Sequence, residues 1–132
     1  MRVIVAKEAG FCFGVRRATD FVEQAIGRGE TICTLGHLIH NRPYNEHLAA
    51  AGVRTIGIAD VEEIAKTGAP TRIVIRTHGI PRGEEKMLRA LAETYPNLHI
   101  EDMTRPFVKK IHRIAAEHTA ANVTLFVLRR PP

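Results

Sequence analysis

Short apolar runs rich in β-branched residues alternate with longer amphipathic stretches along nearly the whole chain. No other feature restricts the fold as strongly. The runs are RVIVA (2–6), TICTL (31–35), VRTI (53–56), TRIVIRT (71–77), LHIED (98–102) and VTLFVL (123–128). TRIVIRT, with β-branched residues throughout, is the strongest strand among them. Between the first two runs, Val15, Ala18, Val22, Ala25 and Ile26 mark one helical face, and GRG ends that helix. NRPYNEHLAAAG predicts a short helix with Asn41 as N-cap and Gly52 closing it. Asp60 is placed to cap the helix VEEIAKTG, and Pro81 starts RGEEKMLRALAETY. Pro106 opens a last helix with Phe107, Val108, Ile111, Ile114 and Ala115 expected inward. Strands alternating with helices predict an α/β fold, a mostly parallel sheet with helices on both faces. The 132 residues suit one domain spanning 1–132.

In such sheets ligands bind beyond the carboxyl ends of the strands. The residues just past each strand carry the useful chemistry. GFCFGV brings Cys12, GHLIHN brings His37, His40 and Asn41, HGIP brings His78, and MTRPFV brings Arg105. Cys12 precedes a helix start, where the positive end of the dipole favours a thiolate. Gly10 and Gly14 bracket it and permit a tight turn, and Phe11 and Phe13 are expected to form an apolar collar. A buried, inert cysteine is the plainer reading of a lone thiol, but the glycine bracket and the position favour a metal ligand or nucleophile. Cys33, inside TICTL, reads as a packing residue. His40 and His78 each come after a strand and adjoin a turn. Singly, either serves equally well to cap a loop carbonyl; together, at one end of one sheet, they suit phosphate binding or proton relay. His37 is the weaker candidate. The glycine turns also expose N–H groups to an anion, although neither is a P-loop or a dinucleotide fingerprint.

The net charge of +5 and pI near 9.7 suit an anionic ligand or a nucleic acid. The basic residues are scattered, and the five Phe and two Tyr do not interleave with them as stacking sites on nucleic acid do. A small phosphate-bearing molecule fits at least as well. No apolar run reaches the roughly 20 residues of a membrane span, the N-terminus lacks the pattern of a signal peptide, and two cysteines do not make a disulfide framework. The expected setting is the cytoplasm.

Four motifs in order, GFCFGVRRA, LIHN, RTHGIP and T-x-PFVKKIH, resemble the 4-hydroxy-3-methylbut-2-enyl diphosphate reductases, the IspH/LytB family. The resemblance runs to about residue 125. It implies an enzyme of the non-mevalonate isoprenoid pathway that reductively removes a hydroxyl from its diphosphate substrate, giving isopentenyl and dimethylallyl diphosphate. It also implies three similar α/β domains around a 4Fe–4S cluster held by three cysteines, and electrons from ferredoxin or flavodoxin. By the resemblance Cys12 is a cluster ligand, and His40 and His78 hold the diphosphate.

The sequence departs from the family at one motif. Where the family has T-C-P, this chain has TRP, so the second cluster cysteine falls on Arg105. A guanidinium carries a fixed positive charge and is no iron ligand. The family continues past VTLFVL into a region with a proton-donating glutamate, whereas this sequence reads RRPP. The expectation is therefore the family's N-terminal domain and the start of the next strand, with the other two domains absent. Such a chain is expected to bind no cluster stably, to be inactive alone, and to self-associate through exposed apolar surface. A non-catalytic diphosphate-binding module is the alternative, and a nucleic-acid-binding protein ranks third.

Overall fold

The computed structural model describes residues 12–119. The expected strands 2–6 and 123–128 lie outside the described residues, as does Phe11. The order of elements is α1 (Phe13–Gly27), β1 (Ile32–Leu35), α2 (Arg42–Ala50), β2 (Arg54–Ile56), α3 (Ile58–Lys66), β3 (Thr71–Ile75), α4 (Arg82–Thr94), β4 (Leu98–Asp102) and α5 (Pro106–Thr119). The four strands pair in parallel in the order β2-β1-β3-β4. Cys33 stands opposite both Arg54 and Ile73, and Ile73 also stands opposite Ile100.

Alternation of side chains along each strand feeds two cores. On one face, Ile32 and Val74 meet Ala18, Val22 and Ala25 of α1 and Leu48 of α2. On the other, Cys33, Leu35, Ile73 and Ile75 meet Val61 and Ala65 of α3 and Leu88 of α4. Helices therefore cover both faces, as the strand–helix alternation predicts. The runs in β1 and β3 are apolar almost without interruption because each strand lies between two others and under two helical layers. Cys33 is part of the second core, and burial pushes its thiol pKa up.

Local signals set most boundaries. Asn41 caps α2, its Oδ1 accepting the Tyr44 N–H at 2.9 Å. Asp60 does not cap α3. Gly57 is the N-cap, and Asp60 at the third helical position accepts the Gly57 N–H at 2.9 Å. A carboxylate one turn into a helix satisfies a free donor and offsets the positive dipole end, so a glycine suffices at the cap itself. Asp60→Ala is expected to lower stability by about 1 kcal/mol, read from urea denaturation midpoints.

Phe107 is not inward; it is 73% exposed. Val108, Ile111, Ile114 and Ala115 are half-buried. Helical periodicity identifies an apolar face but not whether anything lies opposite each turn of it.

The chain passes from β1 outward to β2, then back across β1 to β3 on its other side. The direction of winding thus reverses between β1 and β3, which opens a crevice at their carboxyl ends.

Candidate functional site

The loops after β1 and β3 meet at that crevice. His40 and His78 stack with ring centroids 4.4 Å apart and planes at 23°. Thr77 sets their spacing: its N–H and its Oγ1 both donate to the Leu38 carbonyl, each at 3.1 Å. Its own carbonyl accepts the Arg105 N–H at 2.9 Å, so the loop after β4 is tied to the same residue. Arg76 holds the β3 turn, its Nε donating to the Gly79 carbonyl at 2.9 Å. Gly79 has φ +80°, and a Cβ there would lie 2.9 Å from His112 Cε1 of α5. Only glycine meets both demands.

His78 is half-buried and its Nδ1 is buried without a hydrogen-bond partner among the described residues. Burial, and then the positive charge of Arg76, the His40 ring and Arg105, push its pKa down to about 4. The imidazole is therefore neutral near pH 7. The groups that act on it include no carboxylate. A neutral ring among cationic groups suits a site that waits for an anion.

Cys12 is the N-cap residue of α1 and is exposed. Its thiol closes no capping hydrogen bond. The N–H of Val15 draws its pKa down most, with the Arg105 side chain and the Gly14 N–H adding to this against the effect of burial. The expected apolar collar does not form among the described residues, because Phe13 is 79% exposed. Its position in the first turn turns the ring outward from the α1 stripe of Val15, Ala18 and Val22. Arg105 crosses the same turn: a Cβ on Gly14 would lie 2.8 Å from Arg105 Cγ. Gly14 thus makes room for the arginine.

This corner does not fit an iron–sulfur cluster. Cluster ligation needs several converging thiolates. Of the two cysteines, Cys33 is locked in the core, and a guanidinium faces Cys12. No three His, Cys, Asp or Glu side chains converge on a metal position among the described residues.

Three residues of the site escape a reading of the sequence. Arg76 lies inside what reads as a strand, Thr77 looks like a strand-end packing residue, and His112 sits on a helix with no turn signal beside it. Together with Arg82 and Arg113, Arg76 and His112 line an open cleft of about 670 Å³ that begins at His78. No helix among the described residues is long and apolar enough to cross a membrane.

The profile of the LytB protein family matches residues 3–130. The chain belongs to the LytB family. Among relatives of this LytB chain is a 4-hydroxy-3-methylbut-2-enyl diphosphate reductase of Geobacter sp. (strain M21). It is 43% identical over 121 residues, which are 91% of this chain and 38% of that protein. A protein of the same name from Thermoanaerobacter sp. (strain X514) is 35% identical over 97% of this chain and 42% of its own length. The chain thus spans about two-fifths of the curated relatives it matches. Among solved structures, (E)-4-hydroxy-3-methyl-but-2-enyl diphosphate reductase, titled the terminal enzyme of the non-mevalonate pathway, superposes with a TM-score of 0.64. The two share 31% identity over 91% of this chain and 39% of that one. The E-1-hydroxy-2-methyl-but-2-enyl-4-diphosphate reductase of Plasmodium falciparum gives a TM-score of 0.65 at 25% identity, over 88% of this chain and 34% of that one.

Proposed function

We propose that this chain is the diphosphate-holding N-terminal unit of a 4-hydroxy-3-methylbut-2-enyl diphosphate reductase, and that it does not catalyse the reduction by itself. His40 and His78 hold the diphosphate end of the substrate in the crevice between β1 and β3. The observation that carries this reading is the stack of the two rings, which brings two separate strand ends to one point where Arg76 and Arg105 act on His78. Imidazole N–H groups donate to phosphate oxygens, and Arg76, which acts on His78, supplies positive charge. The lack of catalysis by this chain alone is argued from Arg105: no electron-carrying cluster assembles on its one exposed thiol with a guanidinium beside it.

The test is calorimetric titration of the 132-residue chain with inorganic pyrophosphate. His78→Ala and His40→Ala are each expected to weaken binding about tenfold, a loss of about 1.4 kcal/mol. Equal affinity in the parent chain and both variants would remove the histidines from the site. The part of the pH dependence of binding that is lost in His78→Ala should be one that strengthens binding as pH falls from about 7 toward about 5, because an anion beside His78 favours its protonated form. Protonation of pyrophosphate itself is common to both chains.

A further inference from the structure

The misfit at Cys12 is more than a lost ligand. We infer that Arg105 turns the corner between α1 and the β3 and β4 loops into an oxyanion site, taking a phosphate-class ligand in the place where a thiolate would take iron. The inference rests on the diphosphate-binding reading above and adds to it one residue, Arg105.

Four observations converge. The Arg105 side chain runs across Gly14 and faces Cys12, so it occupies the corner rather than pointing to solvent. Its N–H is tied to the Thr77 carbonyl at 2.9 Å, which places the guanidinium beside the loop that carries His78. Arg105 Nε and His78 Nδ1 are both buried with no hydrogen-bond partner among the described residues. A buried polar group left without a partner is unfavourable. An oxyanion that draws the guanidinium and the imidazole outward gives both nitrogens an acceptor and relieves that cost. Finally, the carboxylate of Asp102, in the strand before Arg105, is already engaged. Asp102 holds Lys109 at 2.8 Å and accepts the Thr104 N–H at 2.9 Å. Glu85, which lines the cleft with His78, pairs with Arg89 at 3.7 Å, and no carboxylate is among the groups that act on His78 or Cys12. A guanidinium fork suits a phosphate, which accepts two parallel N–H bonds.

The test compares Arg105→Gln, Arg105→Lys and Arg105→Cys with the parent 132-residue chain. Calorimetry with inorganic pyrophosphate, and separately with inorganic phosphate, reads the affinity. Circular dichroism melting checks that each variant is folded, and bound iron is measured after anaerobic treatment with iron and sulfide. Arg105→Gln and Arg105→Cys are expected to weaken pyrophosphate at least tenfold. Arg105→Lys, which keeps the charge and loses the fork, should fall between them and the parent, and the parent chain should retain no iron. Preference for pyrophosphate over phosphate would mark the ligand as a diphosphate; equal affinity would mark it as a single phosphoryl group, and both support the oxyanion site. Unchanged affinity in Arg105→Gln and Arg105→Lys, with loss in His78→Ala, overturns this inference and leaves the histidine reading standing. Iron retained by the parent chain also overturns it. Absence of pyrophosphate binding to the folded parent chain overturns both readings together.

Discussion

Ile73→Ala is expected to destabilise the domain by about 3–4 kcal/mol, the middle of the range for an isoleucine truncated in a core. Ile73 is 0% exposed, sits in β3 between β1 and β4, and packs under α3 and α4. Neighbouring strands fix the backbone on both sides, so the space left by the lost carbons stays open. Against total stabilities of roughly 5–15 kcal/mol for a domain of this size, the loss is a large fraction. Urea denaturation of the parent and variant chains measures it. Ile73→Val, which removes one methylene, should cost only about 1 kcal/mol. A loss below about 1 kcal/mol for the alanine variant would show that β3 is not the spine of the sheet.

The second large effect is a dependence of stability on pH through His78. In the fold its pKa is pushed down to about 4 by burial and then by Arg76, His40 and Arg105. Unfolded, the imidazole takes up its proton near pH ~6.5. Between these values the unfolded chain binds more protons than the folded one, so stability falls as pH falls from about 6.5 toward about 4. The full interval corresponds to about 3 kcal/mol, and partial access of solvent to the ring reduces the expected loss to about 2 kcal/mol. Asp102 and Glu30 act the other way round the pH scale. Burial of Asp102 is outweighed by Lys109 and Thr104, and Glu30 is held low by Arg72 and Arg28. Their contributions are complete above the ordinary carboxylate range and fade only at lower pH. Measurements between about pH 5 and about pH 7.5 therefore isolate His78. Its replacement by Asn should flatten the dependence; an equally steep profile in that variant would show that another group is responsible.

Much of the fold is legible in the sequence because it rests on local signals. TRIVI is β-branched and bounded by Pro70 and a turn, and Asn41 caps α2 as its position predicts. The crevice is half legible. The positions just past the strand ends pick out His40, His78, Cys12 and Arg105 as residues of one sheet edge. Which two strands lie side by side there depends on the crossing from β2 back over β1, which no local pattern encodes. For the same reason the sequence does not disclose Arg76 and Thr77: their roles are set by Gly79, Leu38 and Arg105, partners that the tertiary fold brings to them. Phe107 and Phe13 fail in the opposite direction. Each sits in the first turn of a helix, and an apolar residue there carries no mark of whether a neighbour covers it.

The stacked histidines also say something about the order of events in folding. Between His40 and His78 in the chain lie α2, β2, α3 and β3. Their rings come together only when β3 has crossed back to pair with β1, a long-range closure that costs chain entropy before any contact repays it. The helices gain their local contacts earlier. Ring contact is thus a late event, and a fluorescent or NMR reporter at His40 would track completion of the topology rather than collapse of the chain.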